Sequence, residues 1–484
     1  MMRRIFLLAA LPLLAQSPSS QGDLARLRGA CAAPSPELAR LRQLCDGIGG
    51  RVTGSPAFHR ALQWGLMGFK AAGVEAHLEP FTLKNGWRAA PVMIRIAGPM
   101  GFTPRATSWG WSSPCDGSFT ILDGGDGSDA ALERLGAKVK GAFVYIANEP
   151  MTTAEALFGE YFASSRQAAR LRAMGAGGLL AQSTRPRKLL YRHLDPRVKD
   201  GAVSGLPEIQ IAREDGDRLA RLLKDGPAHA RIRMLNRVSG PTPAANVVGE
   251  IPGTDLKDEV VLIGAHLDSW ELGTGALDDG CNAAMVVELA RLFRAADFHP
   301  RRTVRFVLFG GEEQGLLGSK AYTAAHRAEL GRIRAVIIYD EGLGRVSGFS
   351  TGGRPEWRPI LDAALAPLGE AAPKAHTDDA FTGTDNYDFL AEGVPTLIAN
   401  QDWTDYLPNY HAESDTFDKV DPKALHDQTA QTAVLLWGLA NAPALPERQT
   451  RAQVDALIKA TGLEPQMKAF GLWNGWVDGN RGRK

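Results

Sequence analysis

Three apolar segments in the C-terminal half of the chain each run directly into residues of the type that bind metal ions. Residues 259–265 lead into His266, residues 303–309 lead through two glycines into Glu312 and Glu313, and residues 335–339 lead into Asp340. Such β-rich runs, separated by helical stretches, predict a buried and mostly parallel sheet. Open α/β sheets place their sites at the carboxyl ends of the strands, so these side chains are expected at one edge of the sheet.

The first strand end also supplies a partner for its histidine. His266 and Asp268 are two residues apart, so their side chains leave the same face of the strand. A ligating imidazole usually donates its other N–H to a carboxylate or carbonyl oxygen. We therefore predict His266 as a metal ligand and Asp268 as the group that orients it.

Two adjacent aspartates follow in a glycine-rich loop before a predicted helix at 283–296. The two oxygens of Asp278 can face two cations at once. Asp279 has an ordinary alternative role, because aspartate often caps a helix that starts beyond it.

Adjacent glutamates after a strand point in different directions, so one can bind metal while the other faces the substrate water. That division of Glu312 and Glu313 is expected of a metal-activated hydrolase. Asp340 and His411 complete a set of two histidines and several carboxylates without a thiolate. This donor set suits zinc, with manganese or cobalt as substitutes in vitro. Each motif alone fits a surface turn or a helix start; their joint order favours a metal centre.

Composition limits the classes of partner that the protein is expected to bind. The 484 residues, with 44% hydrophobic and 23% charged residues, are typical of a water-soluble protein of about two domains. A net charge of +1, without a dense Lys/Arg run, excludes a global attraction to nucleic acid. The expected partner is a peptide or small molecule. The oligomeric state is left open, and a homodimer is compatible with the sequence.

The N-terminus predicts export to the periplasm or the extracellular space. Arg3 and Arg4 precede an apolar run at 5–15, which Pro12 interrupts and which is too short to span a bilayer. We expect residues 1–16 to be a signal peptide, by the general or the twin-arginine route. No later run reaches about 18 uninterrupted apolar residues, so no integral membrane segment is expected in the mature chain.

A change in the pattern of predicted strands and loops along the chain indicates an inserted domain. A helix at 57–72 and a strand at 74–81 come first, and the ligand-bearing sheet starts only near Asn246. Between them, short strands at 92–96 and 141–146 alternate with Gly/Asp/Ser loops. The predicted divisions are 1–16 (the signal peptide), 17–82 (the first part of the catalytic domain), 83–240 (a β-rich insertion), 241–445 (the catalytic domain) and 446–484 (a tail). Residues 241–243 are the predicted return linker. A long helix is predicted at 421–439.

Four cysteines are present, and none forms a CxxC motif, which argues against a zinc ribbon or a thioredoxin-type site. Export permits disulfides, and Cys31 with Cys45 is the most local pairing. Cys115 has no evident partner. Cys281 follows the Asp278–Asp279 loop directly, so pairing it would distort that loop.

Together these motifs resemble the M28 family of dizinc exopeptidases, most closely its carboxypeptidase Q subgroup. The similarity runs from about Leu38 to Leu439, and the insertion resembles a protease-associated (PA) domain. The matching segments are GAHLDSW (264–270), GALDDG (275–280), GEEQGLLGS (311–319), HAESDT (411–416), NVVGEIPG (246–253), GTD (383–385) and GVP (393–395).

The resemblance implies a zinc-exopeptidase fold, a mostly parallel α/β sandwich of the phosphorylase/hydrolase-like type, and two zinc ions per chain. His266 and Glu313 would bind different metals, and Asp278 would bridge them. Asp340 and His411 would be the remaining ligands. Glu312 would be the general base, Asp268 would orient His266, and Tyr410 matches a tyrosine that stabilises the oxyanion in some relatives.

We therefore expect an exported metallo-exopeptidase for dipeptides or short peptides with a free N-terminus. Asp385 is the candidate for recognising the substrate ammonium, either directly or from beneath the pocket; the alternative is that it caps a helix reaching Leu390. Three rival functions stay open: an aminopeptidase for longer peptides, a non-catalytic binding ectodomain on the same scaffold, and cyclisation of N-terminal glutamine.

Overall fold

The computed structural model describes residues 18–195 and 201–484. The predicted signal peptide, 1–16, lies outside the described residues. None of the helices in the described ranges is long and apolar enough to cross a membrane.

The strands and helices follow one another in a mixed α/β order. The strands are β1 (Glu75–Leu83), β2 (Trp87–Arg88), β3 (Val92–Ile96), β4 (Ala106–Ser108), β5 (Cys115–Asp123), β6 (Phe143–Ile146), β7 (Gly178–Gln182), β8 (Glu208–Ile211), β9 (Ala228–Met234), β10 (Arg237–Val238), β11 (Thr242–Ile251), β12 (Leu256–His266), β13 (Arg302–Phe309), β14 (Ile333–Ile338), β15 (Gly348–Ser350) and β16 (Thr396–Asn400). The α-helices are α1 (Pro18–Ala32), α2 (Glu37–Arg42), α3 (Pro56–Ala71), α4 (Asp129–Leu135), α5 (Ala154–Ala173), α6 (Arg213–Leu223), α7 (Cys281–Ala295), α8 (Leu317–Ala325), α9 (Arg358–Leu365), α10 (Asn386–Ala391), α11 (Tyr406–Asn409), α12 (Pro422–Asn441), α13 (Arg451–Ala460), α14 (Leu463–Ala469) and α15 (Trp473–Val477).

The larger core surrounds a seven-stranded sheet with the order β1-β11-β13-β12-β14-β16-β15. Its four central strands, β13, β12, β14 and β16, are parallel, and β1, β11 and β15 join antiparallel at the flanks. The predicted α/β fold with a parallel sheet is confirmed for this centre. Layers of helices cover both faces, which explains why the central strands read as nearly continuous apolar runs.

The alternation of β12 shows the two layers directly. Val261 and Ile263 lie in the core that contains residues of α7 and α12. Val260 and Leu262 lie in the core on the other face, with Tyr322 of α8 and Phe389 of α10. Successive side chains of a strand point to opposite faces, so both sets are buried and residues 260–265 of β12 are all apolar.

The predicted helices and strands of this sheet are present at nearly the expected positions. The helix expected at 57–72 is α3, capped by Ser55, whose hydroxyl accepts the Phe58 N–H. The helix expected at 421–439 is α12, with Asp421 as its N-cap. The apolar runs before the ligand-type residues form β12, β13 and β14.

Residues 92–234 form a second seven-stranded sheet, with the order β3-β9-β5-β6-β7-β8-β4. This segment also contains α4, α5 and α6, so it is more helical than the β-rich composition predicted. Its resemblance to a PA domain stays a prediction.

The return to the first sheet is more abrupt than expected. Thr242 and Pro243 of the predicted linker at 241–243 already belong to β11, where Thr242 pairs with Leu83 and Pro243 with Thr82. Strand β11 pairs with β13 only from Val247 onward, so at Pro243 its other side is a free edge. Proline cannot donate a hydrogen bond to a ladder and is tolerated at such an edge.

The tail after α12 is folded onto the helices that cover the first sheet. Helices α13 to α15 bury Val454, Leu463 and Trp476 in one cluster with Tyr387 and Leu390 of α10. Arg481, close to the C-terminus, donates hydrogen bonds of 2.7 Å to both carboxylate oxygens of Asp388. The tail is therefore held by a buried ion pair as well as by apolar contacts.

All four cysteines are unpaired. The pairing of Cys31 with Cys45, which the sequence left open, is not present, and the two residues have different surroundings. Cys45 packs in a buried cluster with Cys281, whereas Cys31 lies against the main core at the level of α1.

We predict that Arg481→Ala lowers the free energy of unfolding by about 3 kcal/mol, because it leaves the Asp388 carboxylate buried without its cation. Chemical denaturation followed by circular dichroism measures the loss. Arg42→Ala is the control, since Arg42 pairs with Asp46 on the exposed surface of α2 and such pairs contribute at most about 1 kcal/mol. Equal effects of the two substitutions would contradict the tail's anchoring role.

Candidate metal centre

The predicted ligand-type residues converge at the carboxyl edge of the central strands. His266 is the last residue of β12, Glu313 follows β13, and Asp340 follows β14. The parallel register pairs His266 with Phe309 and Gly264 with Ile338, which brings the three strand ends level. Loops before α7 and after α11 add Asp278 and His411.

These residues form two triads that share one carboxylate. In the first, His266 Nε2 lies 3.0 Å from Asp278 Oδ1 and 3.2 Å from Asp340 Oδ1. In the second, His411 Nε2 lies 3.3 Å from Asp278 Oδ2 and 3.0 Å from Glu313 Oε2. Each oxygen of Asp278 therefore faces a different histidine.

The donor atoms fit metal ions. Ligands at about 2.0–2.2 Å from a tetrahedral zinc lie about 3.3–3.6 Å from one another, close to the spacing within each triad. Candidate donor atoms of His266, Asp278 and Glu313 all lie within 4.8 Å of one another. Asp278 Oδ2 and both Glu313 oxygens are buried without a hydrogen-bond donor. Buried carboxylate oxygens cost free energy unless a donor or a cation satisfies them, so the site has the character of a cation site.

The pKa shifts of the two glutamates also indicate a cation site. Burial, and next the charge of Asp340, raise the pKa of Glu312 well above its ordinary value. Burial and then the charge of Asp278 do the same for Glu313. Several carboxyl groups in one small volume cannot all ionise cheaply unless cations join them.

The orientation of His266 differs from the prediction in one respect. Its Nδ1 lies 3.0 Å from the backbone carbonyl oxygen of Asp268, whereas the Asp268 carboxylate is 3.8 Å away. That carboxylate instead accepts the backbone N–H of Glu312 at 3.2 Å. Asp268 therefore orients the histidine through its main chain and positions the glutamate loop through its side chain.

Asp279 does not cap α7. The N-cap position is Gly280, without a side-chain hydrogen bond. The Asp279 carboxylate points back to the strand, where it accepts the backbone N–H of His266 at 3.1 Å, and it also accepts the Asn282 amide. It fixes the end of β12 beside the first triad.

The two adjacent glutamates occupy different environments. Glu313 is 7% exposed and points at His411, whereas Glu312 is half-buried and faces an open cavity. Both line the cavity at the triads, and Glu312 is the more exposed of the two.

The two remaining candidates lie at different depths. Tyr410 lines the cavity, stacks on the His411 ring, and its hydroxyl lies 2.9 Å from the hydroxyl of Tyr161. Asp385 is 1% exposed, and its neighbour Thr384 lines the cavity instead. Asp385 precedes α10 but makes no capping hydrogen bond, so the alternative capping role is not observed.

Two buried residues that sequence reasoning missed shape the loop of Asp278. Asp415 accepts the backbone N–H groups of Ala276, Leu277 and Asp278 at 3.0, 2.7 and 3.2 Å. The Arg51 guanidinium donates to the carbonyl oxygens of Thr274 and Gly275, just before that loop. Asp415 lies inside the HAESDT motif, which was the available signal; nothing local marks Arg51.

The cavity at the triads has a volume of about 140 Å³ and a mostly aromatic wall. Sequence reasoning missed this wall because its members come from α5, from the loop before α10, from the loop around α11 and from the tail. They are Leu157, Phe158, Tyr161, Phe381, Trp403, Tyr406, Phe470 and Leu472.

We predict that Asp415→Asn weakens divalent-metal binding by about 10- to 100-fold, because the amide NH₂ faces backbone N–H groups and no longer holds Asp278 in place. Competition with a chromophoric chelator measures the affinity. Glu413→Gln is the matched control from the same motif, since Glu413 pairs with Arg105 near the surface. An unchanged affinity in Asp415→Asn would contradict this role.

Comparison with known proteins gives consistent matches. Residues 246–436 match the model of peptidase family M28. Carboxypeptidase Q of Bos taurus is 28% identical over 410 residues, which cover 83% of this chain and 84% of that protein. A solved peptidase M28 precursor from Shewanella amazonensis SB2B is 28% identical with a TM-score of 0.78, covering 89% of this chain and 99% of its own. BSAP, a zinc aminopeptidase from Bacillus subtilis, is 18% identical with a TM-score of 0.67, covering 85% and 96%, and shares the fold.

Proposed function

We propose that this chain, a zinc metallopeptidase whose residues 246–436 belong to family M28, holds two zinc ions and hydrolyses dipeptides or short peptides that carry a free N-terminus. Membership of the family, expected from the motifs, is confirmed. The number of ions, the roles of the residues and the substrate class are proposals.

The shared carboxylate carries the proposal of two ions. Asp278 presents one oxygen to the triad of His266 and Asp340, and the other to the triad of His411 and Glu313. Two zinc ions, when bound, would polarise the scissile carbonyl and lower the pKa of water toward ~7.

Glu312 is the proposed general base. Its carboxylate faces the cavity, and the Asp268 carboxylate holds its backbone N–H. Glu312 would accept a proton from the attacking water and deliver a proton to the leaving amine. Tyr410, whose hydroxyl is fixed by Tyr161, is the proposed donor to the oxyanion.

A free substrate ammonium suits the charge of the cavity. Among the described residues that line it, carboxylates are frequent and neither Lys nor Arg occurs. Glu341 is the proposed ammonium partner, because it lines the cavity and its carboxylate is held by the Gln401 backbone N–H at 3.1 Å. Asp385 lies beneath the cavity, so the proposed role of Asp385 is support of the wall.

The aromatic wall indicates which side chains the cavity accepts. Mostly apolar pockets bury an apolar or aromatic group of the ligand and use a few polar groups for its orientation. Phe470 of the tail packs against Tyr161 and Phe162 of α5, so the wall closes on that side. The closed wall favours an enzyme that acts on short peptides over an aminopeptidase that acts on longer ones. The convergence of every proposed ligand and of Glu312 argues against a non-catalytic ectodomain, and the apolar run behind Arg3 and Arg4 supports export.

We predict that Glu312→Gln lowers kcat by about 10²-fold or more while zinc stays bound, because it removes the base and keeps the shape. Glu313→Gln should mainly lower zinc affinity, because Glu313 faces His411. Turnover measurements combined with elemental analysis of both variants provide the test. Metal loss in Glu312→Gln with a fully loaded but inactive Glu313→Gln would reverse the two roles.

A second prediction concerns the ammonium. The wild-type enzyme should strongly prefer dipeptides with a free N-terminus over their N-acetylated forms. Glu341→Gln keeps the hydrogen bond from Gln401 but removes the charge, so kcat/KM for free peptides should fall about tenfold, which corresponds to about 1.4 kcal/mol.

Asp385→Asn is the matched comparison, because Asp385 is acidic, buried and outside the cavity lining. If Asp385→Asn reduces the preference for free over N-acetylated dipeptides and Glu341→Gln does not, the substrate ammonium is bound at Asp385. Equal cleavage of free and acetylated dipeptides by the wild-type enzyme would contradict recognition of the N-terminus altogether.

A further inference from the structure

Residues 183–195 follow β7 of the second sheet, and they pair with the loop that carries His411. The backbone N–H of Arg192 donates to the His411 carbonyl oxygen at 3.1 Å, and the N–H of Glu413 donates to the Leu190 carbonyl oxygen at 3.0 Å. His411 itself has a φ of 57°, in the left-handed region. A side chain from another part of the fold thus has a fixed approach to this ligand.

That side chain is His193. Its Nδ1 lies 2.8 Å from Nδ1 of His411, and the His193 ring is fully buried. A ligating histidine usually has a carboxylate or carbonyl behind it. Here the group behind His411 is a second imidazole.

Two imidazole nitrogens at this distance form a hydrogen bond only if one of them carries a proton. His411 Nε2 faces Asp278 and Glu313, so as a metal ligand it must be unprotonated. The proton of neutral His411 then lies on Nδ1. It follows that His411 Nδ1–H donates and His193 Nδ1 accepts.

The far side of His193 agrees with this assignment. If Nδ1 of His193 accepts, its proton lies on Nε2, which is 3.5 Å from Glu160 Oε1 of α5. Glu160 also accepts the Thr184 hydroxyl at 3.0 Å and lies 3.6 Å from the Arg185 guanidinium. A carboxylate so held requires a donor, not a lone pair, on the imidazole nitrogen that faces it.

Tyr161 leaves this arrangement intact. Its hydroxyl lies 3.1 Å from His193 Nδ1 and 2.9 Å from the Tyr410 hydroxyl. Because His193 Nδ1 has one lone pair, and the shorter contact from His411 occupies it, the Tyr161 proton goes to Tyr410. One buried network therefore reaches both His411 and the proposed oxyanion donor.

We propose that His193, oriented by Glu160, is a positioning residue that fixes His411 in the tautomer that binds metal through Nε2. Residues 183–195 then supply, through His193, the group that lies behind His411 in the second metal site. This inference rests on the proposed function in one respect, namely that the triad of His411 and Glu313 holds a zinc ion.

The test compares two substitutions. His193→Leu keeps the volume but removes the acceptor, and should lower zinc affinity at one of two sites by about 10- to 100-fold. His193→Asn places an amide oxygen where Nδ1 was, and should restore most of that affinity. The readouts are zinc retained against a graded chelator and the absorption spectrum of the cobalt-substituted protein, in which the bands of one site only should change.

Three controls make the result decisive. His376→Leu removes another buried histidine, which bonds to the Phe349 backbone and faces Asp362, and should leave zinc retention unchanged. The melting temperature of each metal-free variant separates a general loss of stability from a loss of metal affinity. If His193→Leu does not fold, Glu160→Gln takes its place and should release the same zinc first.

The outcomes are separable from those of the proposed function. A wild-type enzyme that binds fewer than two zinc ions would overturn the two-ion proposal. A wild-type enzyme with two zinc ions, and a His193→Leu variant that retains both as tightly, would overturn the role of His193 alone. Equal losses in His193→Leu and His193→Asn would reduce His193 to a packing residue.

Discussion

The structure depends on one electrostatic constraint: several carboxylates at the buried edge of a single sheet must be stabilised together. Asp278, Asp340 and Glu313 converge on two histidines, with no Lys or Arg lining the cavity within the described residues. Burial raises the cost of every unpaired charge there. Cations relieve this cost, and because Asp278 presents its two oxygens to two separate triads, the arrangement favours two of them.

The residues around the triads hold them in place without facing the substrate. Asp415 accepts three backbone N–H groups of the Asp278 loop, the Asp268 carboxylate holds the Glu312 main chain, and Asp279 holds the end of β12. Each of these carboxylates accepts at least one backbone N–H. Rigid placement of this kind lets two adjacent glutamates differ in surroundings, with Glu313 buried against His411 and Glu312 more exposed at the cavity.

The sequence predicts the parts of this molecule that follow from local pattern. Apolar runs predict β12 to β14, and the residues that end those runs predict the edge at which the ligands meet. It does not predict contacts between distant segments. His193, the aromatic residues of α5 and Phe470 of the tail reach the site only through tertiary packing, and Arg51 approaches the Asp278 loop from the N-terminal region. The pairing of the cysteines, which the sequence left open, likewise depends on tertiary structure, and all four are unpaired.

The most direct test of the account is anomalous X-ray scattering at the zinc absorption edge from crystals of the zinc-loaded protein. The shared carboxylate predicts two peaks about 3.5–4 Å apart, one beside His266 and Asp340 and one beside His411 and Glu313, with Asp278 between them. A single peak at full loading, or two peaks that Asp278 does not bridge, would contradict the central claim.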